Sequence, residues 1–267
     1  MLAPTTVILL PTHAVQAIYV GIGDSFTLHH HYATQVSISL GAPIKMRERG
    51  SAPYSEQASF IVAPSVPHQV EASGVPCFVI WSELGAVADL ARGLSAASES
   101  EIPALPEDPL NDLIPVLLNP GGEVTETVAR EAQLSRILTK LIGPTWDQGP
   151  CDPRIASARS LLTPQWLRDE SEPIAILARS VHLSPSRFRH LFRGEMGLSV
   201  QSYLRWRRLT AALQTSAQGA SLTEAAHAAG FADSAHLSRV FRATFGTSPS
   251  RIFKNSRAVQ VISGPES

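Results

Sequence analysis

A segment that occurs twice near the C-terminus constrains this chain of 267 residues more than any other feature. Ser184–Gly197 aligns with Asp233–Gly246, and the alignment matches Phe192 with Phe241. Each copy begins with a residue type that caps helix N-termini and ends at a glycine suited to a left-handed C-terminal position. Each copy therefore predicts one helix.

Shorter helical runs, Ile174–Ser180 and Leu222–Ala229, precede the two copies. In both places a connector of three or four residues follows, which predicts two helices joined by a tight turn. Between the copies, Val200–Ala217 predicts an amphipathic helix that would span ~27 Å at 1.5 Å per residue. A connector of this size could place the two repeated helices in successive major grooves, about 34 Å apart along B-DNA.

The two repeated helices have similar faces. Apolar residues at helical spacing predict a buried side, formed by Phe188, Leu191 and Phe192 in the first copy and by Leu237, Val240 and Phe241 in the second. The opposite side carries Ser186, Arg189, His190 and Arg193 in the first copy and Ala235, Ser238, Arg239 and Arg242 in the second. One arginine-bearing face is usually solvated surface, whereas two equivalent faces favour DNA, because arginine can bind guanine edges and phosphates.

The charge distribution agrees with this interpretation. The net charge is −1, but residues 1–150 carry 7 basic and 15 acidic side chains, whereas residues 151–257 carry 15 basic and 7 acidic ones. The two parts have net charges of −8 and +8, and the remaining residues add −1. Such asymmetry predicts a basic nucleic-acid-binding module joined to a part that does not touch nucleic acid.

The N-terminal part alternates short β-type runs with Gly, Pro and Ser clusters, which predicts a small sandwich or barrel. Its runs include Gln16–Ile22, Thr34–Leu40, Ser59–Ala63 and Cys77–Trp81. Helical spacing follows in Gly85–Leu94, Asp108–Leu118 and Glu123–Ile142, and Gly-Pro pairs at 143–144 and 149–150 indicate a linker. The apolar stripe of Glu123–Ile142 fits packing on its own domain, with a dimer seam as the alternative.

Cysteine usage and hydropathy indicate the cellular compartment in which the protein is expected. Cys77 and Cys151 stand alone, without the spacing of a disulfide framework or a cysteine zinc site. The N-terminus lacks a secretory pattern, and no apolar run reaches the ~18–20 residues that span a bilayer. We therefore expect a cytoplasmic protein without membrane contact.

Residues from about 152 to 254 resemble the DNA-binding domain of the AraC/XylS family of bacterial transcription regulators. The resemblance is carried by Leu183-Ser184-Pro185-Ser186, Leu191-Phe192, Tyr203-Leu204, Arg208-Leu209, Gly230-Phe231, Phe245-Gly246 and Ser248-Pro249. It implies two helix-turn-helix motifs. The implied base-reading residues are Ser186, Arg189, His190, Ser234, Ala235, Ser238 and Arg239, and the phosphate contacts are Arg187, Arg193, Arg205 and Arg242. Since Ala235 and Ser238 are small, we expect the first helix to dominate specificity.

The N-terminal part resembles the cupin-like sensory domain that often accompanies this DNA-binding domain. The matching fragment places His29, His31 and Gln35 in the first cupin motif and His68 in the second. Metal-dependent cupins have a glutamate where this chain has Gln35, and neutral amides are poor ligands for transition metals. The resemblance therefore implies an effector pocket lined by some of these four residues, with no metal and no other cofactor expected.

Together these features predict a multidomain α and β protein, with an N-terminal cupin-like β-barrel followed by helices and a C-terminal all-α domain with two helix-turn-helix motifs. The expected domains are a sensory barrel at 1–84, a helical segment and linker with possible dimerisation at 85–150, the DNA-binding domain at 151–256 and a flexible tail at 257–267. The expected function is a non-enzymatic, sequence-specific transcriptional regulator, with activation favoured, that responds to a small molecule. Its partners would be double-stranded promoter DNA, RNA polymerase, the effector and a second copy of the chain. The alternative is a metal-dependent cupin enzyme that carries a DNA-targeting domain.

Overall fold

The computed structural model describes residues 6–9, 15–83, 85–98, 100–105, 152–255 and 258–261. By its contacts the chain divides into two compact units. Unit 1 contains residues 1–149 together with 245–267, and unit 2 contains residues 150–244. Residues 245–256, which the sequence analysis assigns to the DNA-binding domain, therefore group with unit 1. Among the described helices, none is both long and apolar enough to cross a membrane.

Unit 1 is rich in β-structure. Its strands are β1 (Thr6–Leu9), β2 (Val15–Ile22), β3 (Ser25–His29), β4 (Thr34–Ser39), β5 (Ile44–Arg47), β6 (Ser55–Gln57), β7 (Ser59–Val62), β8 (His68–Glu71), β9 (Pro76–Ser82) and β10 (Ala258–Val261). They form a six-stranded sheet in the order β10-β1-β2-β9-β4-β7 and a four-stranded sheet in the order β3-β8-β5-β6. Neighbouring strands are antiparallel except β1 and β10, which pair in parallel.

The core of unit 1 lies between these two sheets. Ile44 and Val70 contribute from the four-stranded sheet, and Phe60, Val62 and Cys77 contribute from the six-stranded sheet. Burial of such apolar side chains stabilises the fold by about 1.5–3 kcal/mol each. The described strands remain two sheets and do not close into a barrel, so the expected fold class is confirmed at the level of an N-terminal β-sheet part and a C-terminal helical part.

The four β-type runs named from the sequence are confirmed as β2, β4, β7 and β9, with ends that differ by at most one residue. Helix α1 (Gly85–Ser98) confirms the first helical run after the strands. The predicted helices Asp108–Leu118 and Glu123–Ile142 and the linker lie outside the described residues. Where the sequence predicts a flexible tail, Ala258–Val261 forms β10 and pairs with β1, and its two valines are residues that favour strands.

The C-terminal part is helical. Its helices are α2 (Pro153–Ser160), α3 (Pro164–Asp169), α4 (Pro173–Ser180), α5 (Pro185–Met196), α6 (Val200–Ala217), α7 (Leu222–Ala228), α8 (Ser234–Phe245) and α9 (Pro249–Asn255). Aromatic side chains fill the core of unit 2. The ring of Phe192 lies 5.7 Å from Phe188 and 5.3 Å from Tyr203, and Trp206 of α6 is fully buried.

The helix boundaries follow from local chemistry. Ser184 Oγ accepts a hydrogen bond from the Arg187 N–H at the start of α5, and Asp233 Oδ1 accepts one from the His236 N–H at the start of α8. Gly197 ends α5 in the left-handed region with φ of 72°. These caps satisfy backbone groups that a helix end leaves unpaired, so the predicted capping is confirmed.

Candidate nucleic-acid interface and ligand cavity

The turn between α4 and α5 is held by backbone hydrogen bonds. The Ala178 carbonyl accepts from the Val181 N–H at 3.3 Å and from the Leu183 N–H at 2.9 Å. Between these donors His182 takes a φ of 56°, which is uncommon for a residue with a side chain. The short, closed turn fixes the direction in which α5 leaves α4.

The turn between α7 and α8 has the same construction. The Ala226 carbonyl accepts from the Phe231 N–H at 2.9 Å, and Gly230 takes a φ of 76°. His182 and Gly230 therefore occupy the same turn position in the two helix pairs. The second turn is one residue longer than the first, since Ala232 is inserted before the cap at Asp233.

The outer face of α5 is exposed as the sequence predicts. Ser186, Arg187, Arg189, His190 and Arg193 are all exposed, while Phe188 and Phe192 are buried. An open groove in unit 2 runs beside this face and is lined by Arg154, Leu183, Ser186, Arg187, His190 and Leu191. The face thus offers guanidinium, imidazole and hydroxyl groups to a ligand in solution.

The outer face of α8 is less accessible than that of α5. Ala235, Arg239 and Arg242 are exposed, whereas Ser234 and Ser238 are half-buried. Arg239 is the long exposed side chain among the base-reading residues predicted on this helix. Whether the residues of α5 and α8 read bases or bind phosphate stays a prediction.

The arginines of helix α6 differ in exposure and in hydrogen bonding. Arg205 is exposed, whereas Arg208 is half-buried and its Nε donates a hydrogen bond to the Leu167 carbonyl at 3.1 Å. Burial lowers the pKa of Arg208 from its ordinary value. Arg208 therefore ties α6 to α3 within unit 2. Trp206, which the sequence analysis did not single out, is among the largest fully buried side chains of the unit.

Unit 1 contains a mostly apolar cavity of about 70 Å³. Its wall includes the apolar side chains Phe26, Ile44, Phe60 and Val70 and the polar side chains Asp24, Gln35, Ser37, Thr247 and Arg251. Trp81 and Phe245 also line the cavity, with their rings edge to face at a centroid distance of 6.2 Å. The contribution of residues 245–252 was not predicted from the sequence, because they lie near the opposite end of the chain from the other lining residues.

All four residues predicted for the effector pocket are buried in unit 1. His29 and Gln35 line the cavity, whereas His31 and His68 are not among its lining residues. The three imidazole rings cluster, with centroids separated by 4.2 Å for His29 and His68, 4.9 Å for His31 and His68, and 5.8 Å for His29 and His31. The structure thus brings the predicted residues together, but only two of them face the cavity.

Burial keeps these imidazoles neutral. It lowers the pKa of His29 to about 3, with the neighbouring His31 as a second cause. Burial lowers the pKa of His31 to about 4, although a hydrogen bond with Gln35 opposes the shift. The pKa of His68 lies well below its ordinary value because of burial and then because of His31 and His29. All three rings are therefore uncharged at neutral pH and can act as lone-pair donors.

Comparison with known proteins finds similarity in the C-terminal part. The family model described as a helix-turn-helix domain matches residues 177–255. The arabinose operon regulatory proteins of Escherichia coli (strain K12) and Salmonella typhimurium (strain LT2) are each 37% identical to this chain over 102 residues. The alignment covers 38% of this chain but only 35% and 36% of those proteins, so it spans about a third of the length of these relatives.

Solved structures extend the likeness to most of the chain. ToxT from Vibrio cholerae has a TM-score of 0.57 and 11% identity, covering 92% of this chain and 100% of that chain. ToxT with a bound unsaturated fatty acid has a TM-score of 0.56 and 10% identity, covering 91% of this chain and 95% of that one. At such low identity the likeness shows the fold alone.

The fold and the matching family model together define a chain with a β-sheet part followed by a helix-turn-helix domain. The matched residues include the motifs that carry the resemblance to the AraC/XylS family, so the resemblance expected from the sequence is confirmed for this domain. These relatives are regulatory proteins, so they lend no support to the enzyme alternative.

Proposed function

We propose that this protein is a sequence-specific DNA-binding transcriptional regulator that responds to a small-molecule effector. The observation that carries the proposal is the repeated presentation of exposed arginines on α5 and α8, each helix following a closed turn. Activation is the mode that the family resemblance favours. The chain matches only part of its curated relatives, so this function rests on the helices and on the family of the matched domain.

In this proposal both helix pairs are helix-turn-helix motifs. Helix α5 reads bases with Ser186, Arg189 and His190. Helix α8 reads them with Ser234, Ala235, Ser238 and Arg239, of which only the last is long and exposed. Phosphates are bound by Arg187, Arg193, Arg205 and Arg242, all of which are exposed. Since α5 presents more polar groups than α8, it contributes most of the sequence specificity.

Unit 1 is the sensory part in this proposal, with its two sheets as an open form of a cupin-like fold. An apolar cavity with a few polar groups is the usual form of a small-molecule site. A volume of about 70 Å³ is far below the roughly 300–1,000 Å³ of pockets for drug-sized ligands. The effector is therefore small, or its binding widens the cavity. The fatty acid named with ToxT supports a ligand-binding role for this fold.

The effector can switch the protein only if it binds the DNA-competent and incompetent arrangements with different affinities. RNA polymerase and a second copy of the chain are the further partners that the family resemblance suggests. A location in the cytoplasm, expected from the cysteine usage, fits a regulator of this kind.

The test begins by selecting bound sequences from a random DNA pool with the full chain. Fluorescence anisotropy then compares the selected duplex with a scrambled one. Arg189→Ala should weaken binding of the selected duplex by about 1–3 kcal/mol, with a smaller loss on the scrambled duplex. Arg242→Ala should weaken both duplexes and reduce the salt slope by roughly one unit.

Arg92→Ala provides the matched control, because Arg92 is an exposed arginine on α1 in unit 1 and the charge change is the same. It should leave the affinity and the salt slope unchanged. Equal losses for Arg189→Ala on both duplexes would remove the base-reading role. A selection that enriches no sequence at all would contradict the proposed function.

A further inference from the structure

The cluster of His29, His31 and His68 has the composition and proximity of a metal site. One ring nitrogen from each residue lies within 4.8 Å of the others. The exposed fractions of the three residues are 6%, 1% and 0%. His29 and His68 are direct partners across the β3–β8 pair, and His31 follows two residues after His29. The sheet register therefore places the three rings together.

Backbone carbonyls fix which nitrogen of each ring faces the cluster. Each Nδ1 lies within hydrogen-bond distance of a carbonyl two residues away: His29 of Thr27 at 2.7 Å, His31 of Ala33 at 2.7 Å and His68 of Val66 at 2.9 Å. A neutral imidazole carries one proton, so each Nδ1–H donates to its carbonyl and each Nε2 keeps a lone pair. Metal-binding histidines are oriented by this same arrangement.

The Nε2 atoms of His68 and His31 face the cluster without a proton of their own. His68 Nε2 is buried without a hydrogen-bond partner among the described residues. His31 Nε2 lies 2.8 Å from Gln35 Oε1, and it can donate to this acceptor only when the ring is charged. In the neutral ring with its proton on Nδ1, His31 Nε2 keeps a lone pair. Buried lone pairs that face one another without a proton or a cation are unfavourable. A cation bound at the Nε2 atoms would satisfy them.

We propose that His29, His31 and His68 bind a divalent first-row transition-metal ion through their Nε2 atoms. Neutral imidazoles suit zinc, copper, nickel and iron, whereas magnesium and calcium require oxygen ligands. Three histidines with one further position form a known zinc arrangement, with Zn–N bonds of about 2.0–2.1 Å. Nitrogens bound in this way lie about 3.4 Å apart, so the cluster contracts when the ion binds. The proposal goes beyond the regulatory function and against the sequence-based expectation of no metal.

The test uses the full chain with its affinity tag removed, dialysed against a chelator and then titrated with zinc. We expect one equivalent of zinc per chain and a rise of Tm by about 5–10 °C when zinc exceeds its Kd a hundredfold. Cobalt serves as the spectroscopic probe, since nitrogen ligation in a four-coordinate site produces visible absorption bands. Both measurements are independent of DNA binding, which is assayed separately.

His30→Ala is the matched control, because His30 is exposed and lies between two cluster residues. It should retain one equivalent of zinc, whereas His31→Ala and His68→Ala should lower the zinc affinity at least a hundredfold. If a cluster variant does not fold, the cobalt spectrum of the unmutated chain decides. A folded, unmutated chain that binds no zinc and gives no cobalt bands overturns the proposal. Equal losses in His30→Ala and His68→Ala also overturn it, because the ion would then bind elsewhere.

Discussion

Gly230 is a position where a single methyl group should disturb the turn of the second helix pair. The residue has a φ of 76°, and a β-carbon added there would lie 3.0 Å from the Leu167 carbonyl oxygen and 3.1 Å from the Arg168 Cα. Both neighbours are backbone atoms of α3, and the Leu167 carbonyl is held by Arg208 Nε at 3.1 Å. The contact therefore cannot be relieved by rotation of a flexible side chain.

The cost of Gly230→Ala has two parts. A left-handed conformation costs a residue with a β-carbon about 1–2 kcal/mol, and the backbone contact adds to this cost. The reduced entropy of the unfolded chain offsets about 0.4–1 kcal/mol. We therefore expect the free energy of unfolding of the helical part to fall by about 2 kcal/mol.

His182→Ala is the matched control, because His182 occupies the same turn position in the first helix pair. It already has a β-carbon at a φ of 56°, and its side chain is exposed. This substitution should change the free energy of unfolding by less than about 0.5 kcal/mol. Both variants place an alanine at the same turn position, but only Gly230→Ala adds a β-carbon that the original residue lacks.

Urea unfolding followed by circular dichroism measures both variants through the helical signal. The two-unit chain need not unfold in one step, so the comparison uses the transition of that signal. DNA affinity at low temperature provides the second measurement, and Gly230→Ala should weaken it by displacing α8. If the two variants have the same free energy of unfolding to within about 0.5 kcal/mol, which is the usual range for substitutions without a structural effect, the argument from turn geometry is refuted.

Two further predictions concern buried side chains. Burial raises the pKa of Cys77 to about 12. In a Cys151→Ser chain the Cys77 thiol should therefore react with iodoacetamide at neutral pH on the order of a thousandfold slower than it does in urea. Similar rates in both conditions would contradict this burial. Phe188→Ala should lower the free energy of unfolding by about 3–5 kcal/mol. Arg187→Ala, at the exposed neighbouring residue, should change it by less than about 0.5 kcal/mol. Urea unfolding compares the two variants, and equal effects would place Phe188 outside the core.

The helical part could be predicted because its signals are local. Val200–Ala217 agrees with the observed helix at both ends, since a capping serine and an apolar period define it within its own sequence. The two repeated helices, α5 and α8, could be predicted from the sequence for the same reason. The one-residue difference between the two turns could not be predicted, because it depends on where the left-handed residue lies in each connector, at His182 in the first and at Gly230 in the second.

The β-rich part was predictable only where β-branched and aromatic residues are frequent in a run. The four named runs all belong to the six-stranded sheet, whereas the four-stranded sheet consists of short strands such as Ser25–His29 and Ser55–Gln57. Their pairing depends on residues far apart in sequence, and no periodicity of a few residues encodes it. For the same reason the sequence did not indicate that residues 245–252 line the cavity of unit 1.

Gln35 shows why the identity of one residue was a weak guide to the histidine cluster. A neutral amide in place of a carboxylate removes one negative charge, which lowers the expected affinity for a cation without removing the three imidazoles. The tautomers of those imidazoles depend on the carbonyls of Thr27, Ala33 and Val66, and a motif of side chains contains no information about them. Three histidines held by backbone acceptors can bind an ion without a carboxylate. The zinc titration therefore tests the geometry of the cluster, and the residue at position 35 affects only how tightly the ion is held.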